Sequence, residues 1–284
     1  MTRSMLFVPG DADRKIERGL ASGADALILD LEDSVAPDRK AAARERVRQA
    51  LQQASPGHRI WVRVNSLQSG LVLDDLTAVV PARPFGVVLP KCEGRIGLQQ
   101  LAHYLDAFEA AAKLEAGSTR ILVIATETAR SLFALGEYSG VSARLWGLTW
   151  GGEDLSADVG SLGNRSGDRY TEPYRLARSL CLFAAAAAGV RAIDAVCTDL
   201  RNEPLLRSEA SEGFRDGFSG KLAIHPAQVE PINKGFSPDP ATLEWARKVV
   251  DLFQAQPGSA AFSLDGKMVD VPHLRLAERL LGKA

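Results

Sequence analysis

Two carboxylates that stand just after short aliphatic runs are the first residues in this sequence whose types could do chemistry. Glu127 follows ILVIAT, and Asp154, with Glu153 before it, follows LWGLTWGG. No His or Cys accompanies either one, and an oxygen-only pair of this kind suits Mg2+ or Mn2+ and not zinc. Magnesium held by one or two carboxylates keeps several positions for water or substrate oxygens. A 2-oxo acid would chelate such an ion through its carboxylate and ketone. Arg63, in IWVRVN, could grip the same carboxylate through charge-assisted hydrogen bonds. The combination predicts aldol or Claisen chemistry.

Residues so far apart in sequence need a scaffold that gathers them. Short β-branched and aliphatic runs alternate with longer amphipathic stretches, which is the pattern of successive βα units and a parallel sheet. The runs predict strands at Ser4–Val8, Ala26–Leu29, Ile60–Val64, Gly86–Leu89, Ile121–Ile124, Leu145–Leu148, Ala192–Ala195 and Leu222–Ile224. Eight such units close a (β/α)8 barrel, a TIM barrel of the α/β class. Helical spacing of apolar residues falls between them, at Asp38–Gln53, Arg95–Glu115, Tyr174–Ala188 and Pro226–Asn233. The barrel is expected to occupy residues 1–233. Residues 234–284 read as a C-terminal helical extension: a loop at Lys234–Pro240, a helix around Thr242–Gln254, a small-residue turn at Gln256–Ser259 and a helix after Pro272. Such an arm is expected to pack on a neighbouring subunit.

In barrels the functional groups collect at the C-terminal ends of the strands. Here those positions read Pro9-Gly10, Asp30 with Glu32 and Asp33, Arg63 with Asn65, Pro90-Lys91, Glu127, Glu153 with Asp154, Asp194 and His225. Each has a plainer reading. Asp33 could begin a turn, Glu127 could be an early-helix carboxylate favoured by the dipole, Asp154 could cap the next segment, and His225 could lead into a Pro-led helix. Together they argue for a site, because charges converging on one mouth repel unless a cation or an anionic substrate organises them.

Composition narrows the class further. The 284 residues are 46% hydrophobic and 24% charged, and 34 Lys and Arg nearly cancel 35 Asp and Glu. No overall field would hold nucleic acid or an anionic membrane, so an anion must be gripped locally. Cys92, Cys181 and Cys197 form no CxxC pair and read as reduced core thiols. The longest apolar stretch, CLFAAAAAGV, is far short of a membrane span, and the N-terminus reads as neither a signal nor a transit peptide. A cytoplasmic enzyme or binding protein is expected.

The ordered segments RSMLFVPGD, LILDLEDSVAP, WVRVNS, VVLPK, ATETA, LTWGGEDLSADVG, AAAAAGVRAIDAV, GFSGKLAIHPAQVEPIN and DGKMVDVPHLRLA resemble the citrate lyase β-subunit family, within the HpcH/HpaI aldolases and alongside the malyl-CoA and citramalyl-CoA lyases. The resemblance runs through nearly the whole chain. It implies that Glu127 and Asp154 hold magnesium and that Arg63 binds a substrate carboxylate. It implies a coenzyme A or acyl-carrier groove at Arg14, Arg18, Ile224 and His225, with Lys221 nearby. Arg14 and Arg18, four residues apart, also suit a solvated helix face. Asp270 matches an acidic residue that family members lend to an adjacent subunit, which implies a homo-oligomer, a trimer or a hexamer. As the residue before Val271-Pro272, Asp270 also suits a helix N-cap. Asp30, Glu32 and Asp33 would fix metal-bound water and orient Arg63. Ser131 stands near where the family pattern places a glycine.

The implied reaction is reversible cleavage of a 3-hydroxy-acyl thioester to an acyl thioester and a 2-oxo acid. A citryl thioester giving oxaloacetate is the first reading. Malyl-CoA, methylmalyl-CoA or citramalyl-CoA is the nearest alternative. The rivals are a metal-dependent aldolase acting on free oxo acids and a non-catalytic subunit that binds acyl thioesters.

Overall fold

Strands covered on both faces read as continuous apolar runs, and the five residues of ALILD are all buried. The computed structural model describes residues 2–55, 57–256, 258 and 260–282. It contains a closed barrel of eight parallel strands: β1 (Ser4–Pro9), β2 (Ala26–Asp30), β3 (Ile60–Arg63), β4 (Gly86–Leu89), β5 (Arg120–Ile124), β6 (Leu145–Thr149), β7 (Arg191–Asp194) and β8 (Gly220–Ala223). Each pairs with its sequence neighbours, and β1 closes on β8. All eight expected strands are present, with ends shifted by no more than two residues. The last two begin earlier than expected, at Arg191 and Gly220.

Side chains alternate across a strand, and that alternation makes two cores. Met5, Ala26, Ile28, Trp61, Val88, Leu122, Ile124, Ile193 and Leu222 fill the barrel. Leu6, Leu27, Leu29, Val62, Leu89, Val123 and Ala192 point outward to the helices, where Leu76, Leu101, Leu105, Ala177 and Cys181 meet them. Trp61 is the largest of the wholly buried side chains and takes the space opened by Gly86, where a Cβ would lie 2.4 Å from the indole. The expected helices appear at Lys40–Gln53, Arg95–Ala111, Glu172–Ala187 and Val229–Gly235, the first and last preceded by one turn of 3-10 helix.

Two compact units divide the chain, one running up to Phe236 and the other from Ser237. The boundary expected after residue 233 falls inside the helix Val229–Gly235, and the loop expected at Lys234–Pro240 shrinks to residues 236–239. Asp239 then caps the helix Pro240–Ala255, its carboxylate accepting the N–H of Thr242 at 2.6 Å. The second unit is not purely helical. A hairpin of β9 (Ala261–Leu264) and β10 (Lys267–Asp270) stands between that helix and the last one, Val271–Leu280. Its turn residues, Asp265 and Gly266, both have positive φ. The unit has its own core of Ala246, Val249, Val250, Val269 and Ala277. Of the turn expected at Gln256–Ser259, Pro257 and Ser259 lie outside the described residues.

Candidate active site

Alternation decides which charges enter the barrel. Ala26 and Ile28 face inward, so Asp30 does too, and Arg63 follows the inward Trp61. Asp30 and Arg63 are register partners on β2 and β3. The guanidinium therefore meets the carboxylate side on, with Nε to Oδ1 at 2.6 Å and Nη2 to Oδ2 at 2.7 Å. Phe7 supports the guanidinium from below, 4.8 Å from its ring centre. Burial alone would raise Asp30, but Arg63 and the N–H groups of Glu32 and Ser34 hold its carboxyl below the usual range. This fixed pair still leaves N–H groups of Arg63 for a ligand.

Above that pair the carboxylates crowd. Glu32 lies 3.1 Å from Arg63 Nη1, yet its buried Oε2 receives no hydrogen bond. Lys91 reaches Glu32 at 2.5 Å, Asp33 at 3.2 Å and Asp154 at 3.5 Å. Glu127 is 3% exposed and accepts the backbone N–H of Lys91, a residue held at φ 52 in the left-handed region. Burial first, and then the charges of Glu32 and Asp154, push the Glu127 carboxyl up to about 8. Burial also raises Glu32, against Arg63 and Lys91. A buried carboxyl that high is costly to ionise unless a cation stands beside it.

Glu127 and Asp154 line one pocket with Arg63, Glu153, Trp150 and Tyr170. Among the described residues no group of three or more His, Cys, Asp or Glu side chains gathers as a metal cage. Two carboxylates, an orphaned Glu32 oxygen and a lysine reaching Asp154 fit a hard divalent ion that keeps water positions. They do not fit zinc. Gly151 is what lets the loop after β6 come this close, since a Cβ there would be 2.8 Å from Glu127 Cγ. Neither Glu127 nor Asp154 is itself a helix cap. The helix after Glu127 is capped by Thr128, and Asp154 lies in the first turn of Gly152–Asp158 without capping it. Ser131, near which a glycine was expected, is buried and folds its hydroxyl back on Thr128 O at 2.6 Å.

Two residues expected at or near the mouth are not there. Ile193 and Leu222 face inward, so their neighbours Asp194 and Lys221, partners across β7 and β8, face outward. Lys221 is 1% exposed and lies 3.7 Å from Asp194 and 3.0 Å from Glu209, so it takes no part in a phosphate groove. Asp194 instead accepts Trp150 Nε1 at 2.6 Å and Arg178 Nε at 3.1 Å. Glu209 also binds Arg165, whose guanidinium stacks on Tyr170. This outward network holds two aromatic walls of the pocket, Trp150 and Tyr170. Lys40 anchors the loop after β2, donating to Leu31 O, Glu32 O and Asn65 Oδ1 at 2.7–2.8 Å.

Arg14 and Arg18 are exposed on the helix Asp13–Leu20 and form no ion pair among the described residues. Ile224 is 38% exposed, and the His225 ring accepts the N–H of Ala227 at 3.2 Å as an N-cap. Asp270, in the second unit, forms a capping box with His273 at the start of Val271–Leu280.

The family model for HpcH/HpaI aldolase/citrate lyase matches residues 3–226. The chain belongs to that family. It is accordingly a carbon–carbon lyase. A (3S)-malyl-CoA thioesterase of Cereibacter sphaeroides is 35% identical over 99% of this chain and 94% of its own length. The mitochondrial citramalyl-CoA lyase of Rattus norvegicus is 32% identical over 98% and 85%. CitE of Mycobacterium tuberculosis, solved with magnesium, acetoacetate and coenzyme A, superposes with a TM-score of 0.79 at 32% identity, over 99% and 97%. Among the described residues no helix is long and apolar enough to cross a membrane.

Proposed function

We propose that this chain is a magnesium-dependent lyase of 3-hydroxy-acyl-CoA esters whose 2-oxo acid product carries one carboxylate, glyoxylate or pyruvate, so that malyl-CoA or citramalyl-CoA is cleaved. One observation supports the reading most. Arg63 is the only cation lining the pocket among the described residues, while Glu127, Glu153 and Asp154 share the lining with apolar groups such as Phe7, Ile124, Val196 and Leu222. A second substrate carboxylate, as in oxaloacetate or a citryl ester, would meet repulsion and apolar surface. The citryl reading is therefore the second choice. The malyl-CoA and citramalyl-CoA esters named for the two relatives agree with the single-carboxylate reading.

Glu127 and Asp154 would hold the magnesium, which supplies charge to lower the pKa of the substrate hydroxyl and to polarise the ketone. Arg63, steadied by Asp30 and Phe7, binds the carboxylate of the oxo-acid half. Glu32, whose buried Oε2 has no hydrogen-bond partner, is assigned the 3-hydroxyl proton, directly or through water. The bond between C2 and C3 then breaks, its electron pair passing to the thioester as an enolate, while the C3–oxygen bond becomes the carbonyl of the oxo acid. Asp270 of a second copy is assigned the proton that enolate carbon takes up. Arg14, Arg18, Ile224 and His225 are assigned to the coenzyme A arm. A homo-oligomer is part of this reading, and Mn2+ would replace Mg2+.

The test is condensation of acetyl-CoA with glyoxylate, pyruvate or oxaloacetate, with and without Mg2+, on the wild type and on Arg63→Lys. Glyoxylate or pyruvate is expected to exceed oxaloacetate by at least about tenfold in kcat/KM, the equivalent of ~1.4 kcal/mol. Arg63→Lys should raise KM for the oxo acid. Equal use of oxaloacetate would overturn the single-carboxylate reading. Malyl-CoA consumed to free malate without an oxo acid would overturn the cleavage and make the chain a thioesterase.

A further inference from the structure

A helix that opens on a carboxylate is commonly closed by the residue three positions on. In a capping box that residue is Glu or Gln, and its side chain returns to the N–H of the cap. In Val271–Leu280 it is His273, so the box is closed by a ring that can carry a proton. Both partners are held in place. Asp270 ends β10, where it pairs with Ala261, and it also caps the helix. The His273 ring meets Trp245 at 70°, with ring centres 6.5 Å apart.

His273 Nδ1 lies 3.2 Å from the backbone nitrogen of Asp270 and 2.5 Å from its Oδ1. A nitrogen and an oxygen at 2.5 Å need a proton between them. If the carboxyl holds it, Nδ1 accepts, and the backbone N–H shares the same lone pair. If the ring holds it, Nδ1–H donates to Oδ1. The two arrangements differ in the place of one proton. A cap by itself needs none of this, because a carboxylate accepting a backbone N–H and a glutamine amide would serve. The pair also stands open to water, with the side chains of Asp270 and His273 32% and 40% exposed.

We propose that His273 relays protons between water and Asp270. The relay rests on the assignment of Asp270 to the enolate carbon, and His273 acts through that carboxyl without touching the substrate. In cleavage, the Asp270 carboxyl gives up its proton as the new C–H bond of the acyl thioester forms. The carboxylate then takes the Nδ1 proton of His273, while Nε2 takes one from water. Exchange with water returns the ring proton from Nε2 to Nδ1 for the next turnover. The proton drawn from water equals the one that Glu32 passes to it from the 3-hydroxyl, so the cycle neither gains nor loses one. Condensation runs the same steps backwards.

Condensation of acetyl-CoA with glyoxylate or pyruvate, in the presence of Mg2+, is measured on the full-length protein and its variants. His273→Gln keeps a side chain that closes a capping box, so its Tm should match the wild type while kcat falls at least tenfold. Its calorimetric affinity for Mg2+ and the oxo acid should be unchanged. His273→Ala should be as slow, and added imidazole should restore its kcat by filling the place of the ring. The same imidazole should leave His273→Gln unmoved, because the amide occupies that place. Asp270→Asn/His273→Gln should be no slower than Asp270→Asn alone, since the relay works only through the carboxyl. Wild-type kcat in His273→Gln beside a slow Asp270→Asn would overturn the relay and leave Asp270 in its role. Wild-type kcat in Asp270→Asn would instead remove the assignment on which the relay rests. A fall of Tm and kcat together in both His273 variants, with no recovery of His273→Ala in imidazole, would make the ring a cap and nothing more.

Discussion

Glu127→Gln should make the metal-free protein more stable at alkaline pH, and the size of the gain can be worked from burial. The folded carboxyl is pushed from the ordinary 4.5 to about 8. A group whose folded pKa is raised stabilises the fold below its unfolded pKa, and that contribution is lost as pH climbs through the folded value. At 1.36 kcal/mol per pH unit, the loss between about pH 4.5 and pH 8 is roughly 5 kcal/mol for this 3% exposed group. Glu32, also raised, adds to the slope in the same direction. In metal-free buffer with chelator, wild-type Tm should therefore fall across that range, and Glu127→Gln should fall much less. At about 2 °C per kcal/mol for a chain of this size, the two melting curves should separate by several degrees at pH 8. Added Mg2+ should then raise the wild-type Tm at pH 8 and leave the variant unmoved, because the ion stabilises only the form that binds it. Wild type and variant melting in parallel from pH 5 to 8 would refute both the burial argument and the metal assignment.

Three further perturbations probe other parts of the site. Gly151→Ala places a methyl group 2.8 Å from Glu127 Cγ and should weaken Mg2+-dependent binding of the oxo acid by calorimetry while far-ultraviolet dichroism is unchanged. Lys221→Met removes the cation between two buried carboxylates and should cost about 3–5 kcal/mol by denaturant unfolding, with a change in Trp150 fluorescence as Asp194 loses a partner. Asp270→Asn should lower kcat and leave calorimetric Mg2+ and oxo-acid affinity as in the wild type; an unchanged kcat would remove Asp270 from the reaction.

The barrel was legible because each strand is short and apolar, and most are followed by a charge. The Asp30–Arg63 pair was equally open to reading, since both residues continue an inward file by two. The same rule places Asp194 and Lys221 outward. Charge drew Asp194 to the mouth and the family resemblance drew Lys221 near the coenzyme A groove, but the parity set by Ile193 and Leu222 was already visible. The hairpin at β9 and β10 also had its signal: Asp265-Gly266 between alternating residues is a two-residue turn pattern, and the positive φ at both positions shows it in use. Other features had no local signal. The two-residue strands Arg165–Ser166 and Arg169–Tyr170 pair with each other across Gly167-Asp168, but the reach of Arg165 to Glu209, 44 residues on, could not be read locally. Lys91 was visible as a mouth residue, but its reach across Glu32, Asp33 and Asp154 belongs to three loops at once.

Strand alternation also sets where this chain can tolerate change in length. A single residue gained or lost within β2 or β3 would turn Asp30 or Arg63 toward the helices and bring leucine or valine into the mouth. One event would thus remove the carboxylate grip and the inner core together, with no gradual intermediate. The loops above the strands carry no such parity, so a change of length there need not reverse any strand side chain. New substrates would therefore be reached by varying loop length around an unvarying strand count, and a library for changing specificity should place its insertions there.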